Sequence, residues 1–180
     1  MKGRFYIAFI MIVLFSSCSK QKINDAPEDV NTVTFKNNLR QLSNGVLYES
    51  DSVLELLNGR KKIVSIVDGV CMKCVINDLN YADEVFQEII GSNNLNKVVY
   101  ILNVPSADSL YFLKHFEPSI NVKGIVLWDN SYSFEKLNGL LTADKSYRTF
   151  LIDENNQIKL AGSPLYDSEL MSNYTALLQE

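Results

Sequence analysis

The sequence predicts an α/β fold in which a central mixed β-sheet is flanked by helices on both faces. Short apolar runs rich in β-branched residues alternate with amphipathic segments, an order typical of right-handed βαβ crossovers between parallel strands. The clearest unit is the run 63–67, which is apolar enough for a strand buried on both faces, followed by helical spacing from residue 75. Two short strands joined by a turn near the end of the chain add antiparallel strands to the sheet.

The other elements follow from local signals. An Asn44-Gly45 turn between two short apolar segments predicts an N-terminal hairpin, and Ser52 is suited to begin a short helix. Polar residues opposite the apolar stripe of helix 75–90, Asp83, Glu84 and Glu88 among them, are predicted to face solvent. The later elements are a strand at 97–104, a helix from Ser106 to Pro118, strands at 122–128, 148–153 and 157–161, a helix at 133–137, and a last helix capped by Asp167. Tyr100, Phe112 and Trp128 are predicted to lie in or near the core.

Composition limits the functions open to this chain. Its 180 residues suit one globular domain, with 47% hydrophobic and 21% charged residues. A net charge of −4 provides no basic face for nucleic acid. The single histidine, His115, excludes a histidine-rich metal site and is the one residue with which a cysteine–histidine dyad could form.

The N-terminus has the pattern of an export signal. Lys2 and Arg4 precede an apolar run at 5–15, and Phe15-Ser16-Ser17-Cys18 resembles a bacterial lipobox. Residues 1–17 are therefore predicted to be a lipoprotein signal peptide, 18–32 a lipidated Cys18 with a flexible tether, and 33–180 the folded domain. An ordinary signal peptide with a chance cysteine is the alternative. Either case predicts an exported protein; the lipobox predicts a bacterial envelope lipoprotein, anchored to a membrane, with a periplasmic or surface-exposed domain.

With Cys18 assigned to lipid, the remaining two cysteines form one pair, Cys71 and Cys74, in a compartment where disulfides persist. The pair lies between the buried strand and the amphipathic helix. A thiolate in the first turn of a helix is stabilised by free N–H groups and the helix dipole, and the Lys73 ammonium acts in the same direction. Cys71 is predicted to be the nucleophile and Cys74 the resolving thiol.

These motifs resemble the thioredoxin superfamily, and specifically the exported, membrane-anchored thioredoxin-like thiol–disulfide oxidoreductases of bacteria. The resemblance extends from about Leu42 to the C-terminus. It implies a thioredoxin-like fold with an N-terminal hairpin extension, exchange with thiols or disulfides of exported proteins, an unidentified redox partner, and no cofactor or metal. It rests on strand 63–67 with Cys71-Met72-Lys73-Cys74, on 126–129 with 134–137, and on 149–153 with 157–158.

The sequence departs from the family pattern beside the cysteine pair. Arg148 stands where the family has a cis-proline, so its preceding peptide bond is predicted to be trans. Val70 replaces the usual aromatic, Lys73 the usual proline, and Ser65 a frequent buried acid. Arg148 is open to two interpretations: a cation that holds the Cys71 thiolate or attracts an anionic partner, or a strand-start residue with its head in water.

Other functions of the pair stay open at this point. It could be an inert structural disulfide or a buried thiol pair, although so short a loop contributes little through chain entropy. A copper site with His115 is a further alternative, because thioredoxin-like copper carriers use cysteines and a distant histidine. The principal alternative to an enzyme is a thioredoxin-like lipoprotein that serves as a binding or assembly module.

Overall fold

The computed structural model describes residues 32–180 except 37, 50, 70–71, 92–94 and 142–144, and for 72–74 and 145–146 it describes the backbone alone. None of the helices in this part of the chain is long and apolar enough to cross a membrane. Short 3₁₀ turns occur at Ser106–Asp108, Glu117–Ser119, Lys145–Arg148 and Pro164–Tyr166. The main elements are β1 (Arg40–Ser43), β2 (Val46–Glu49), α1 (Asp51–Leu57), β3 (Lys62–Asp68), α2 (Met72–Ile90), β4 (Lys97–Asn103), α3 (Ser109–His115), β5 (Ile125–Asp129), α4 (Ser133–Leu137), β6 (Thr149–Ile152), β7 (Ile158–Ala161) and α5 (Ser168–Gln179).

The described strands form one mixed sheet with the order β2-β1-β5-β4-β3-β6-β7. Strands β3, β4 and β5 are parallel, and the hairpins at the two ends join them through antiparallel pairs. The predicted N-terminal hairpin is confirmed: Asn44 and Gly45 have φ of 50° and 72°, the left-handed values that a two-residue turn of this type requires. The central mixed sheet is also confirmed.

Helices pack on both faces of the sheet, as predicted, because side chains alternate between two cores. Along β3, Ile63 enters one core, while Val64 and Ile66 enter the other. The first core includes residues of α2, α3 and α5, and the second includes residues of α1 and α4. Tyr100, Phe112 and Trp128 are buried, which confirms their predicted core positions.

Several boundaries differ from the predictions for identifiable reasons. The helix predicted from Ser106 begins at Ser109, because the Asp108 N–H bonds to the Pro105 carbonyl in a 3₁₀ turn. Arg148, predicted to start a strand, ends the 3₁₀ turn that precedes β6. The cap of the last helix is confirmed: the Asp167 carboxylate accepts hydrogen bonds from the first-turn N–H groups of α5.

The prediction that the acidic face of α2 is solvated is wrong for Asp83. Glu84 and Glu88 are exposed, but Asp83 is 3% exposed. Its carboxylate accepts hydrogen bonds from the Tyr100 hydroxyl (3.0 Å) and from the N–H groups of Lys123 (2.7 Å) and Gly124 (3.1 Å). These bonds replace ladder bonds at 123–124, so β5 begins at Ile125 instead of at the predicted residue 122. A side chain at Gly124 would not fit, since its Cβ would lie 2.6 Å from the Tyr100 ring.

Candidate functional site

Three polar residues end the parallel strands at one edge of the sheet. Asp68 of β3 is paired in register with Asn103 of β4, which is paired with Asp129 of β5. Asn103 and Asp129 are buried. The carboxyl ends of parallel strands are a common location for sites in α/β folds. The segment that carries the predicted cysteine pair leaves the sheet here, directly after Asp68.

Gly69 fixes the path of the chain as it leaves β3. Its N–H donates to the Asn103 carbonyl oxygen at 2.7 Å. A Cβ at this position would lie 2.6 Å from that oxygen and 2.7 Å from the Val104 side chain. Glycine is therefore required by the close approach of the two backbones, two residues before Cys71.

Asp129 positions the short helix α4 against this edge. Its carboxylate accepts hydrogen bonds from the Ser133 hydroxyl at 3.1 Å and the Phe134 N–H at 2.8 Å, which satisfies the first turn of α4. Tyr132, just before the helix, has φ of 56°. Its hydroxyl donates to the Asp68 carboxylate at 3.4 Å, and burial followed by the Asp68 charge raises the pKa of Tyr132.

Glu135 lies on α4 and is fully buried, an uncommon state for a carboxylate. One of its oxygens lies 2.9 Å from the Arg148 guanidinium, and the other accepts a hydrogen bond from the Asn103 side-chain amide. Burial raises the pKa of Glu135, while Arg148 and Asn103 act in the opposite direction. Asn103, Glu135 and Arg148 thus form a polar network that joins β4, α4 and the 3₁₀ turn before β6.

The sequence left two interpretations of Arg148 open, and the structure shows what its side chain contacts. Its side chain is 38% exposed, and its guanidinium forms an ion pair with Glu135 that the sequence did not predict. The peptide bond before it is trans, as predicted. The adjacent Thr149 pairs with Ser65 of β3, and their hydroxyls lie 3.3 Å apart. Arg148 therefore lies beside the strand that leads into the cysteine pair, with its charge already balanced.

No protein-family model matches the chain, and no curated protein sequence matches it. Solved structures do match its fold. A proposed protein disulfide isomerase from Bacteroides thetaiotaomicron has a TM-score of 0.56 at 16% identity, covering 84% of this chain and 87% of that one. A proposed thiol:disulfide interchange protein DsbE from Chlorobium tepidum has a TM-score of 0.54 at 14% identity, covering 84% and 99%. The fold is thioredoxin-like.

An uncharacterized thioredoxin-like protein from Porphyromonas gingivalis adds to this result, with a TM-score of 0.50 at 16% identity over 79% of this chain and 89% of that one. At these identities the likeness establishes the architecture. The predicted fold class is therefore confirmed. A shared fold does not by itself determine function.

Within the thioredoxin-like fold, the predicted site residues fall into two groups. Cys18, Val70 and Cys71 lie outside the described residues. Lys73 and Cys74 belong to the first turn of α2, where the backbone is described and the side chains are not. In the described part of the chain, no group of three or more His, Cys, Asp or Glu side chains is arranged to hold a metal ion.

Sequence reasoning missed Asn103 and Glu135. Asn103 could have been found, because a polar residue ending a buried parallel strand is a usable signal of a site at that edge. Glu135 carried no such signal, because a glutamate in a five-residue helix is ordinarily exposed. Its burial follows from the way Asp129 and Arg148 hold α4 against the sheet.

Proposed function

We propose that this chain is an exported, lipid-anchored thiol–disulfide oxidoreductase that acts on thiols or disulfides of exported proteins through Cys71 and Cys74. The observation that carries the proposal is the position of the pair in the chain. Helix α2 begins at Met72, so the motif spans the junction between the central strand β3 and the start of a 19-residue helix. The free N–H groups of a helix start stabilise a thiolate.

The exchange needs no cofactor. The Cys71 thiolate attacks a substrate disulfide, forms a mixed disulfide and releases one substrate sulfur as thiolate. The Cys74 thiolate then attacks the Cys71 sulfur, which releases the second substrate sulfur and leaves a Cys71–Cys74 disulfide. A reducing partner regenerates the dithiol, and the reverse sequence oxidises a substrate. Lys73 stands between the two cysteines in the sequence, and its positive charge is expected to favour the thiolate of Cys71.

A second function, a thioredoxin-like binding or assembly module without turnover, is favoured by one observation. The peptide bond before Arg148 is trans, and the guanidinium is already engaged by Glu135. In the family that this sequence resembles, the corresponding position seats the substrate. A chain that lacks this seat could retain the cysteines and bind partners without exchanging disulfides.

Replacing Cys71 by serine is expected to abolish turnover, because serine supplies no thiolate to attack a disulfide. The measurement is reduction of a disulfide-bonded protein substrate by the full chain in detergent, with dithiothreitol supplying electrons. Cys74→Ser is the matched variant: it should retain attack and accumulate a mixed disulfide, visible on a non-reducing gel. An unchanged rate for Cys71→Ser, or a wild-type pair that does not exchange with glutathione, would favour the binding module.

Replacing Cys18 by serine is expected to release the protein from membranes, because the lipid is attached to that thiol in the lipobox that the N-terminus resembles. The measurement is fractionation of cells that express either form, together with metabolic labelling by a fatty acid. Ser17→Ala, which leaves the cysteine in place, is the control and should stay labelled. If Cys18→Ser remains in the membrane fraction, the anchor assignment is wrong.

A further inference from the structure

Glu135 connects the elements that surround the start of the cysteine-bearing segment. It pairs with Arg148, which precedes β6, and accepts a hydrogen bond from Asn103 at the end of β4. The same Asn103 accepts a hydrogen bond from the Gly69 N–H through its backbone oxygen. Only Val70 separates Gly69 from Cys71 in the sequence. The network is therefore attached directly to the backbone that leads into the pair.

Stability alone is a weak reason for a chain to keep such a network. Replacement of a buried ion pair by apolar residues is often neutral or stabilising. Here the Asn103 side-chain oxygen is buried and has no hydrogen-bond partner among the described residues. A partly satisfied buried network costs more free energy than an apolar core of the same shape. Its location at the carboxyl edge of β3 and β4 suggests a functional reason instead.

We infer that Glu135 is a positioning residue for the cysteine pair: it holds the Arg148 guanidinium at this edge and balances its charge, so that Glu135 and Arg148 together set the reduction potential of the pair. This inference rests on the proposed function. The other charged or titratable groups that face Glu135 are Asp68, Asp129 and Tyr132. Asp68 is the last residue of β3, so the charge on Glu135 acts at the end of the strand that leads into the pair.

The direction in which each variant shifts the reduction potential of the pair follows from the charge that remains. Reduction of the disulfide creates a thiolate, and a positive charge nearby stabilises that reduced form and makes the pair a stronger oxidant. Removal of Glu135 leaves Arg148 unbalanced, so the pair becomes more oxidising. Removal of Arg148 leaves Glu135 unbalanced, so the pair becomes more reducing. Removal of both groups restores the original net charge at this edge.

The test is a double-mutant cycle on the full chain in detergent at pH 7.5. The fraction of oxidised pair is measured against glutathione redox buffers by thiol alkylation. Glu135→Gln and Arg148→Gln are expected to shift the equilibrium constant between the cysteine pair and glutathione about three- to tenfold in opposite directions. The variant that carries both changes, and Arg148→Lys, which retains the charge, are expected to stay within about twofold of the wild type.

Matched controls separate electrostatic from structural effects. Lys159 forms an ion pair with Asp153 at 3.0 Å on the closing hairpin, and Lys159→Gln is expected to leave the constant within about twofold of the wild type. A merely structural network would change thermal stability without shifts of opposite sign. If Glu135→Gln does not fold, Arg148→Gln, Arg148→Lys and the doubly changed variant carry the test.

Two results would overturn the inference: single variants that shift the constant in the same direction, or single variants that shift it no more than Lys159→Gln does. Either result leaves the proposed function intact, provided that the wild-type pair equilibrates with glutathione. A wild-type pair that does not equilibrate contradicts the proposed function itself, and the inference fails with it. The two failures are thus distinguished by the wild-type measurement.

Discussion

Replacement of Asp83 by alanine is expected to lower the free energy of unfolding by about 3 to 5 kcal/mol, because four donors, the buried Tyr100 hydroxyl among them, lose their acceptor at once. The carboxylate accepts hydrogen bonds from the Tyr100 hydroxyl, from the N–H groups of Lys123 and Gly124, and from the Gln87 side-chain amide. Neither the hydroxyl nor the carboxylate is exposed to water that could replace these bonds, since Tyr100 is 0% and Asp83 3% exposed. The measurement is urea unfolding followed by circular dichroism.

The neighbouring Glu84 is the matched control, since it lies on the same helix and is exposed. Glu84→Ala is expected to change the free energy of unfolding by no more than about 0.5 kcal/mol. Tyr100→Phe, which removes one of the four donors and retains the ring, is expected to cost about 1 kcal/mol. A loss below about 1 kcal/mol for Asp83→Ala would show that the carboxylate does not hold the segment before β5.

Replacement of Lys62 by methionine is expected to raise the free energy of unfolding at pH 7 by about 3 kcal/mol. Lys62 is 0% exposed, and its ammonium donates to the Arg60 carbonyl oxygen at 2.5 Å. Burial lowers the pKa of Lys62 from 10.5 to about 8, although the Asp153 and Glu154 carboxylates act to raise it. Methionine is of similar length and carries no charge to desolvate.

The lowered pKa of Lys62 determines how the free energy of unfolding changes with pH. Below pH 8, Lys62 is protonated in both states, and the folded state bears the full cost of its buried charge. Between pH 8 and 10.5 the folded state has lost this proton while the unfolded chain still binds it, so the free energy of unfolding rises with pH. Lys62→Met lacks this group, so the difference between the two proteins should shrink as the pH rises through this range.

The measurement is urea unfolding of the wild type and Lys62→Met between pH 7 and 9.5. Lys97→Met is the control, because Lys97 is paired in register with Lys62 and is partly exposed. Its difference from the wild type should change little with pH. A difference between Lys62→Met and the wild type that stays constant across this range would contradict a lowered pKa for Lys62.

Features set by a few consecutive residues were predicted correctly, whereas features set by residues far apart in the sequence were not. The Asn44-Gly45 turn and the Asp167 cap depend on a few consecutive residues, and both were predicted correctly. Strand β3 was also found, because its burial on both faces leaves a continuous apolar run. The start of β5 was misplaced, because the side chain of Asp83, about 40 residues earlier, binds the N–H groups that the strand pattern assigned to the ladder.

By itself, the sequence determined the α/β class, the order of strands and helices, the hairpin extension and the junction at which the cysteine pair stands. These features are encoded in periodicity and turn chemistry, which are local and readable along the chain. Only the tertiary structure decided that Asp83 and Glu135 are buried and that Arg148 is paired. A charged side chain can be buried only where partners from other elements replace its water, and no local pattern records where those partners come from.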